Sequence, residues 1–256
     1  MRGAACIAGI VAALLALPIA SARADDLVSG LSQDQIEITS NYTGTDLVVF
    51  GAIQARGSEI GAPERDVVVV VRGPAMDMTV RKKDRVAGLW INRHEAALRA
   101  MPGYYYLAST RPLDKIAALT TLQRYQLGLG NLEPQSYSTH SAREARIYTD
   151  AAVREQARKG LYDQATDGVE FLSTSLFRVR VPVPANVPRG RYTAEVYLFR
   201  DGNVVSAQST PLFVDQTGIE RRLFVFAHQS PLLYGITTVL IALMLGWIST
   251  VAFQRR

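Results

Sequence analysis

The sequence predicts a mainly β protein: an immunoglobulin-like β-sandwich with a helical insertion, followed by one C-terminal transmembrane helix. Apolar and polar side chains alternate along Leu176–Pro184, as in a half-buried strand. Five consecutive valines within Asp66–Arg72 indicate a central strand. The stretch Pro231–Phe253 contains no charged side chain. At about 1.5 Å of rise per residue it is long enough to cross a hydrocarbon core of about 30 Å.

Residues 1–24 have the pattern of a signal peptide. A short basic start precedes an apolar run that ends at Ala20, and an A-x-A site lies at 22–24. Cleavage is expected after Ala24, and an uncleaved N-terminal anchor is the alternative. A cleaved signal peptide places the ectodomain outside the cytoplasm, so the stub 254–256 lies inside. Arg255 and Arg256 in that stub agree with the positive-inside rule.

The net charge of +5 does not describe the ectodomain. Four of the 28 basic residues lie in the signal peptide and the C-terminal stub, which leaves 24 basic against 23 acidic residues. A nearly neutral ectodomain does not have the basic surface of a nucleic-acid-binding protein, and nucleic acid is rejected as a partner. The single cysteine, Cys6, belongs to the signal peptide, so the mature chain is expected to have neither a disulfide nor a thiolate metal site.

Five strands are predicted in the first half of the ectodomain. Their sequences alternate, or consist of β-branched and apolar residues, and Gly, Pro and Asn turns separate several of them. These strands are Asp34–Ser40, Asp46–Ile53, Asp66–Arg72, Met76–Lys83 and Arg85–Ile91.

The middle of the chain, at about 92–168, is predicted to be the helical insertion. A first helix covers Asn92–Met101, with Asn92 as N-cap and Pro102-Gly103 after its end. A short strand follows at Tyr104–Ala108. A second helix begins near Pro112 and extends to about Gln126, and a third covers Ala142–Lys159 and ends before Gly160.

The last part of the ectodomain resembles strands E, F and G of an immunoglobulin-like domain. Thr193–Phe199 and Val204–Val214 flank a hairpin turn at Asp201-Gly202, and Tyr192 occupies the position of a tyrosine corner. About 50 residues cannot close a sandwich alone. We therefore predict one domain, 25–220, and two domains joined by a helical linker are the alternative. Residues 221–230 form a juxtamembrane segment that either lies at the interface or continues the sheet.

Several short motifs together resemble one known family. They are Ser29-Gly30-Leu31-Ser32, Ile36-Glu37-Ile38, Val49-Phe50-Gly51-Ala52-Ile53, Arg81-Lys82-Lys83, Gly88-Leu89-Trp90-Ile91-Asn92, Leu233-Tyr234-Gly235 and Gly246-Trp247. The sequence resembles the putative transmembrane protein family of alphaproteobacteria over essentially the whole mature chain. The resemblance implies an inner-membrane protein with its ectodomain in the periplasm. It carries over no catalytic residue, because the family has no established activity. Members are often encoded near sulfite-exporter-type anion transporters, which implies an accessory role.

Three groups of residues are candidates for binding. The densest basic run is either a solvated strand end or a contact for an anion, for anionic headgroups or for a partner. Two methionines have the M-x-M spacing of periplasmic copper carriers, although such methionines also fill strand cores. Small residues in the span permit close packing against another helix, although a lone span in lipid is an equal alternative. These groups are Arg81, Lys82, Lys83 and Arg85; Met76 and Met78; and Ala242, Gly246 and Ser249.

No catalytic constellation is evident in the sequence. The three histidines, His94, His140 and His228, lie in different segments without a ligand partner at helical spacing. Neither G-x-S-x-G nor a phosphate-binding loop occurs, and no cofactor is expected. The first hypothesis is a non-enzymatic, membrane-anchored module that binds a membrane protein. The alternatives are a periplasmic protein that binds copper or a small anion, and an enzyme whose site is assembled from distant loops.

Overall fold

The structure is a computed structural model that describes residues 26–39, 42–54, 65–86, 88–136, 141–216 and 226–253. The predicted signal peptide, the stub 254–256 and the first half of the juxtamembrane segment lie outside these residues. The described strands are β1 (Asp26–Leu31), β2 (Gln35–Ile38), β3 (Thr45–Gln54), β4 (Arg65–Arg72), β5 (Ala75–Val86), β6 (Leu89–Pro102), β7 (Tyr105–Ser109), β8 (Gln135–Ser136), β9 (Tyr162–Thr166), β10 (Val169–Phe171), β11 (Leu176–Val183), β12 (Gly190–Arg200) and β13 (Asn203–Gln216). The described helices are α1 (Leu113–Ile116), α2 (Leu119–Arg124), α3 (Ala142–Arg158) and α4 (Pro231–Phe253), with a 3-10 turn at Leu129–Asn131.

Two sheets form the body of the described chain before its C-terminal helix. One has the strand order β1-β3-β11-β10, and the other has the order β2-β13-β12-β4-β7-β9. Their inward-facing side chains belong to one buried cluster, which includes Val49 and Phe177 from the first sheet and Val69 and Val196 from the second. Burial alternates strictly along β11, as its sequence predicts. The prediction of a mainly β protein with a C-terminal apolar helix is confirmed.

Two features support the immunoglobulin-like assignment, which stays a prediction. The first sheet has the order of strands A, B, E and D, and β13-β12-β4 has the order of G, F and C. The Tyr192 hydroxyl donates to the carbonyl of Pro188 at 2.6 Å, as the tyrosine of a tyrosine corner does. The turn at Asp201 and Gly202 has φ of 50° and 79°, which fits the hairpin predicted there.

The predicted helix Asn92–Met101 is wrong, because these residues form most of strand β6. The predicted strand Arg85–Ile91 is wrong as well, since the chain reverses between Val86 and Leu89. A single hairpin, β5–β6, therefore takes the place of two strands and a helix. Ala96 and Leu98 of β6 are fully buried and alternate with exposed neighbours, so tertiary pairing overrides the helical propensity of the segment.

The remaining helix predictions hold in part. The helix expected from Pro112 to Gln126 is two short helices, α1 and α2, interrupted at Ala117-Ala118. The third helix is confirmed as α3. Its N-cap, Ser141, accepts a hydrogen bond from the amide of Glu144 at 3.2 Å, and Gly160 after its end has φ of 71°. Strands β1, β9 and β10 were not predicted.

Candidate functional site

The hairpin Ala75–Pro102, which we call the arm, carries the basic run. Its strands have 12 and 14 residues, and at about 3.3 Å per residue the longer one extends roughly 45 Å. The arm has two parts. Its base is anchored by the fully buried Ala96, Leu98 and Met101. The outer part, residues 81–95, which we call the tip, is largely exposed.

The arm is a direct continuation of the strand pair β4–β7. The amide of Gly73 donates to the carbonyl of Tyr104 at 2.8 Å, and the amide of Gly103 donates to the carbonyl of Pro74 at 2.7 Å. A Cβ on Gly73 would lie 2.9 Å from the Tyr104 nitrogen, and one on Gly103 would lie 2.6 Å from the Met76 sulfur. Only glycine fits at these crowded positions, where the ribbon passes from the sandwich into the arm.

The tip combines basic and apolar side chains on two faces. On one face Arg85 lies opposite Trp90, and Lys83 lies opposite Asn92. On the other face Asp84 lies opposite Ile91. Leu89 is 70 % exposed, Trp90 68 % and Ile91 43 %. The structure therefore brings the predicted basic run against an apolar trio that the sequence interpretation had assigned to the end of a separate strand.

Ion pairs neutralise only part of the tip. Arg81 Nε lies 3.3 Å from Glu95 Oε2, and Asp84 lies 3.7 Å from Lys82 Nζ and 3.4 Å from His94 Nε2. Within the described residues, Lys83 and Arg85 have no ion-pair partner. Residues 81–95 contain five basic and two acidic residues, so the tip is basic although the ectodomain as a whole is nearly neutral.

The two methionines lie at the base of the arm and are both in contact with protein. Met78 is partly buried, and its sulfur accepts a hydrogen bond from Gln156 Nε2 at 3.2 Å. Met76 is 42 % exposed and lies against Gly103. A β-bulge separates their pairing positions. This geometry does not favour the copper prediction, which stays untested.

The two described histidines lie in different parts of the chain. His94 contacts Asp84 in the tip, His228 lies beside the span, and His140 is outside the described residues. Among the residues that the structure describes, no three His, Cys, Asp or Glu side chains are placed to hold a metal ion.

The three consecutive tyrosines of the chain lie in the core and form no exposed binding surface. Tyr104, Tyr105 and Tyr106 are all buried. Burial raises the pKa of Tyr105 to about 12, although the nearby Arg72 opposes the rise. The Tyr105 hydroxyl donates to the carbonyl of Gln126 and accepts from the amide of Gly128. Tyr105 therefore connects the helical segment to the sheet.

A buried ion pair has a similar structural role. Asp66 is 4 % exposed, and its carboxylate accepts from Arg111 Nε at 2.8 Å, Arg111 Nη2 at 2.5 Å and Thr110 Oγ1 at 2.8 Å. Every bond joins β4 to the start of the helical segment. Because the carboxylate is fully engaged by neighbouring side chains, it has the features of a structural group and not of a free acid or base.

An open groove of about 730 Å³ lies at the edge of the second sheet. It is lined by Gln35, Arg189, Gly190, Arg191, Phe213, Val214 and Asp215. Phe213 is 53 % exposed and pairs with Arg191. This surface is close to the end of β13, from which the chain continues to the span.

The C-terminal helix α4 is long and apolar enough to cross a membrane. Its window Pro231–Thr250 has a mean hydropathy of 2.0 and is not buried against the rest of the protein. The hydroxyls of Thr237, Thr238 and Thr250 donate to carbonyls one turn earlier, as hydroxyls in apolar helices do. Ala242, Gly246 and Ser249 are exposed, and nothing lies within 4 Å of the position that a Cβ on Gly246 would occupy.

Comparisons with known proteins identify the family of the chain. A family model with the description "Putative transmembrane protein (Alph_Pro_TM)" matches residues 26–255. The match includes both the ectodomain strands and the apolar helix. No curated protein and no solved structure matches the chain.

Proposed function

Since the chain belongs to the alphaproteobacterial family of putative transmembrane proteins, we propose that it is a non-enzymatic interaction module anchored in the inner membrane. The ectodomain lies in the periplasm and the C-terminus in the cytoplasm. Its partner is another integral membrane protein, and the resemblance suggests an anion exporter. One observation carries the proposal. A sandwich with a projecting arm is followed by an apolar helix that is not buried against any other described part of the chain.

The orientation is supported by two parts of the sequence. Residues 1–24 have the order of regions found in signal peptides, and Arg255-Arg256 follow the span directly. A reporter fused to the C-terminus tests this arrangement. A fluorescent protein that folds only in the cytoplasm should be bright there, and alkaline phosphatase, which needs the periplasm, should be inactive. The opposite pair of results contradicts the orientation.

Contact with a membrane partner is supported by the surface of the span. Ala242, Gly246 and Ser249 succeed one another at spacings of four and three residues, which brings them to one side of the helix. Small side chains on one side let a second helix approach closely, and packing is the main source of helix association in lipid. Gly246→Leu fills this side and is expected to weaken the contact.

Co-purification of the full chain from native membranes in a mild detergent is the test. A second membrane protein should be recovered with the tagged wild type and lost with Gly246→Leu. Thr237→Leu is the matched control, because Thr237 is also exposed and lies nine residues before Gly246, on the opposite side of the helix. Recovery of the protein alone under these conditions, or equal recovery of the partner with Gly246→Leu, counts against the proposal.

A further inference from the structure

We propose that the tip of the arm is a second membrane contact, which binds anionic phospholipid headgroups of the bilayer that the C-terminal helix enters. The inference rests on the membrane anchoring proposed above. It assigns the basic run a ligand class and gives the exposed apolar trio a role.

The charges of the tip fit an anionic surface. Lys83 and Arg85 have no ion-pair partner among the described residues, and both lie on the face that carries Trp90. Juxtamembrane basic clusters are attracted by anionic lipids, and the attraction falls off within a Debye length of the surface. No described residue neutralises these two charges, and both side chains are exposed and accessible to phosphate groups.

The apolar side chains of the tip fit the layer just below the headgroups. Leu89 and Trp90 are more than two-thirds exposed although both are large apolar residues. Tryptophan is enriched at membrane interfaces, because its ring is apolar and its indole N–H can bond with water or headgroups. Basic side chains next to exposed Trp and Leu are typical of segments that lie in the interface.

The topology brings the arm to the end of the sandwich from which the span departs. Pro211, Thr193, Arg72 and Tyr105 pair in one row across β13, β12, β4 and β7. Beyond this row, β13 continues in the direction of the span for five residues to Gln216. Strand β4 runs in the same direction as β13, and the arm begins three residues beyond the row at Ala75. The arm and the route to the membrane therefore leave the sandwich at the same end.

Other side chains at this end have the same character. Arg191 and Phe213 pair two residues beyond the row, and both are exposed. We favour a lipid surface over a protein pocket as the binding partner of the tip. The apolar and basic side chains of the tip lie on both faces of a narrow hairpin. A bilayer interface surrounds such a hairpin, whereas a protein surface covers one side.

Fluorescence of Trp90 in the full chain tests the proposal. The protein has two tryptophans, so a Trp247→Phe background makes Trp90 the only emitter. The chain is reconstituted into vesicles of phosphatidylcholine alone and of an equimolar mixture with phosphatidylglycerol, each with and without brominated phosphatidylcholine. In the mixture Trp90 should emit at shorter wavelength and be quenched by the brominated lipid. High salt should reduce both effects.

Charge reversal separates the headgroup contact from a non-specific one. Lys83→Glu with Arg85→Glu should lower the equilibrium constant for tip contact at least about tenfold in the mixed vesicles. Lys115→Glu with Arg180→Glu makes the same change of charge at exposed positions on α1 and β11, outside the arm, and should leave Trp90 quenching unchanged. Unchanged far-UV circular dichroism shows that each variant is folded.

Three results overturn the proposal. One is water-like, unquenched Trp90 emission in both kinds of vesicle. Another is quenching that is equal in both lipids and insensitive to salt. The last is a shift that appears only when membrane proteins are added, because the tip then contacts a protein. The lipid measurements themselves use vesicles without a second protein. Failure of the vesicle test therefore leaves the co-purification test valid, and failure of the co-purification test leaves the vesicle test valid.

Discussion

Removal of the Tyr105 hydroxyl is expected to weaken the connection between the helical segment and the sheet. In Tyr105→Phe the amide of Gly128 loses the acceptor that lies 2.9 Å away. The carbonyl of Gln126 loses a donor at 3.1 Å but keeps Arg72 Nη2 at 3.2 Å. The main cost is therefore one buried N–H without a partner, and we expect the free energy of unfolding to fall by about 2 kcal/mol.

The next residue provides the control. Tyr106 is 5 % exposed and points to the other side of β7, and the structure gives its hydroxyl no hydrogen bond. Tyr106→Phe should change the free energy of unfolding by less than about 0.5 kcal/mol. Urea unfolding of the full chain in mild detergent, followed by far-UV circular dichroism, measures both variants. Both substitutions remove one hydroxyl and so change the side-chain area and volume by the same amount. Equal losses of stability in the two variants would therefore refute the assigned role of the Tyr105 hydroxyl.

Alkaline pH gives an independent check on the same hydroxyl. The pKa of Tyr105 is raised to about 12 by burial, whereas a tyrosine in the unfolded chain has a pKa of about 10. Between these values the unfolded chain loses the proton first, so stability is lost as pH rises, up to about 3 kcal/mol. Tyr105→Phe has no such proton. Its deficit relative to the wild type should therefore shrink above about pH 10, and a deficit that stays constant up to about pH 12 would contradict the assigned burial.

Two further substitutions test the core and the buried ion pair. Gly51→Ala should destabilise by about 1–3 kcal/mol, because its Cβ would lie 2.5 Å from Cζ of the fully buried Phe177. Gly130→Ala, whose Cβ would lie 3.7 Å from the nearest atom, should be close to neutral, and thermal melts that fail to separate the two would contradict the overpacking argument. Asp66→Ala should destabilise by about 3 kcal/mol, since it leaves Arg111 without its carboxylate. A loss below about 1 kcal/mol in urea unfolding would show that solvent compensates Arg111, which is 32 % exposed.

The sandwich strands could be predicted because their burial patterns are local. The five valines of β4 and the alternation in β11 allow few alternatives to a strand. Strands β9 and β10 could not be found this way. Tyr162–Thr166 and Val169–Phe171 are short and have only one buried residue each, and each becomes a strand only because β7 and β11 offer an open edge.

The arm shows why the candidate site was only half predictable. The basic run was identified from composition, but its apolar partners were not. The segment after Asn92 contains Ala, Leu and Met, which favour a helix, whereas its pairing with β5 depends on residues 12 to 25 positions earlier. One local indication was present. Gly88, which has φ of 85°, lies between an alternating basic strand and an apolar one, where a hairpin turn is typical.

The ladder that passes through Gly73 and Gly103 has a mechanical consequence. Strand β4 lies between β12 and β7 within the larger sheet, and two backbone hydrogen bonds join the end of the pair β4–β7 to the base of the arm. A force applied at the tip is therefore transmitted through hydrogen-bonded backbone to β4, which is an interior strand of the larger sheet. Displacement of the tip by a moving bilayer or partner would tilt the whole sandwich, and would not be absorbed by a hinge.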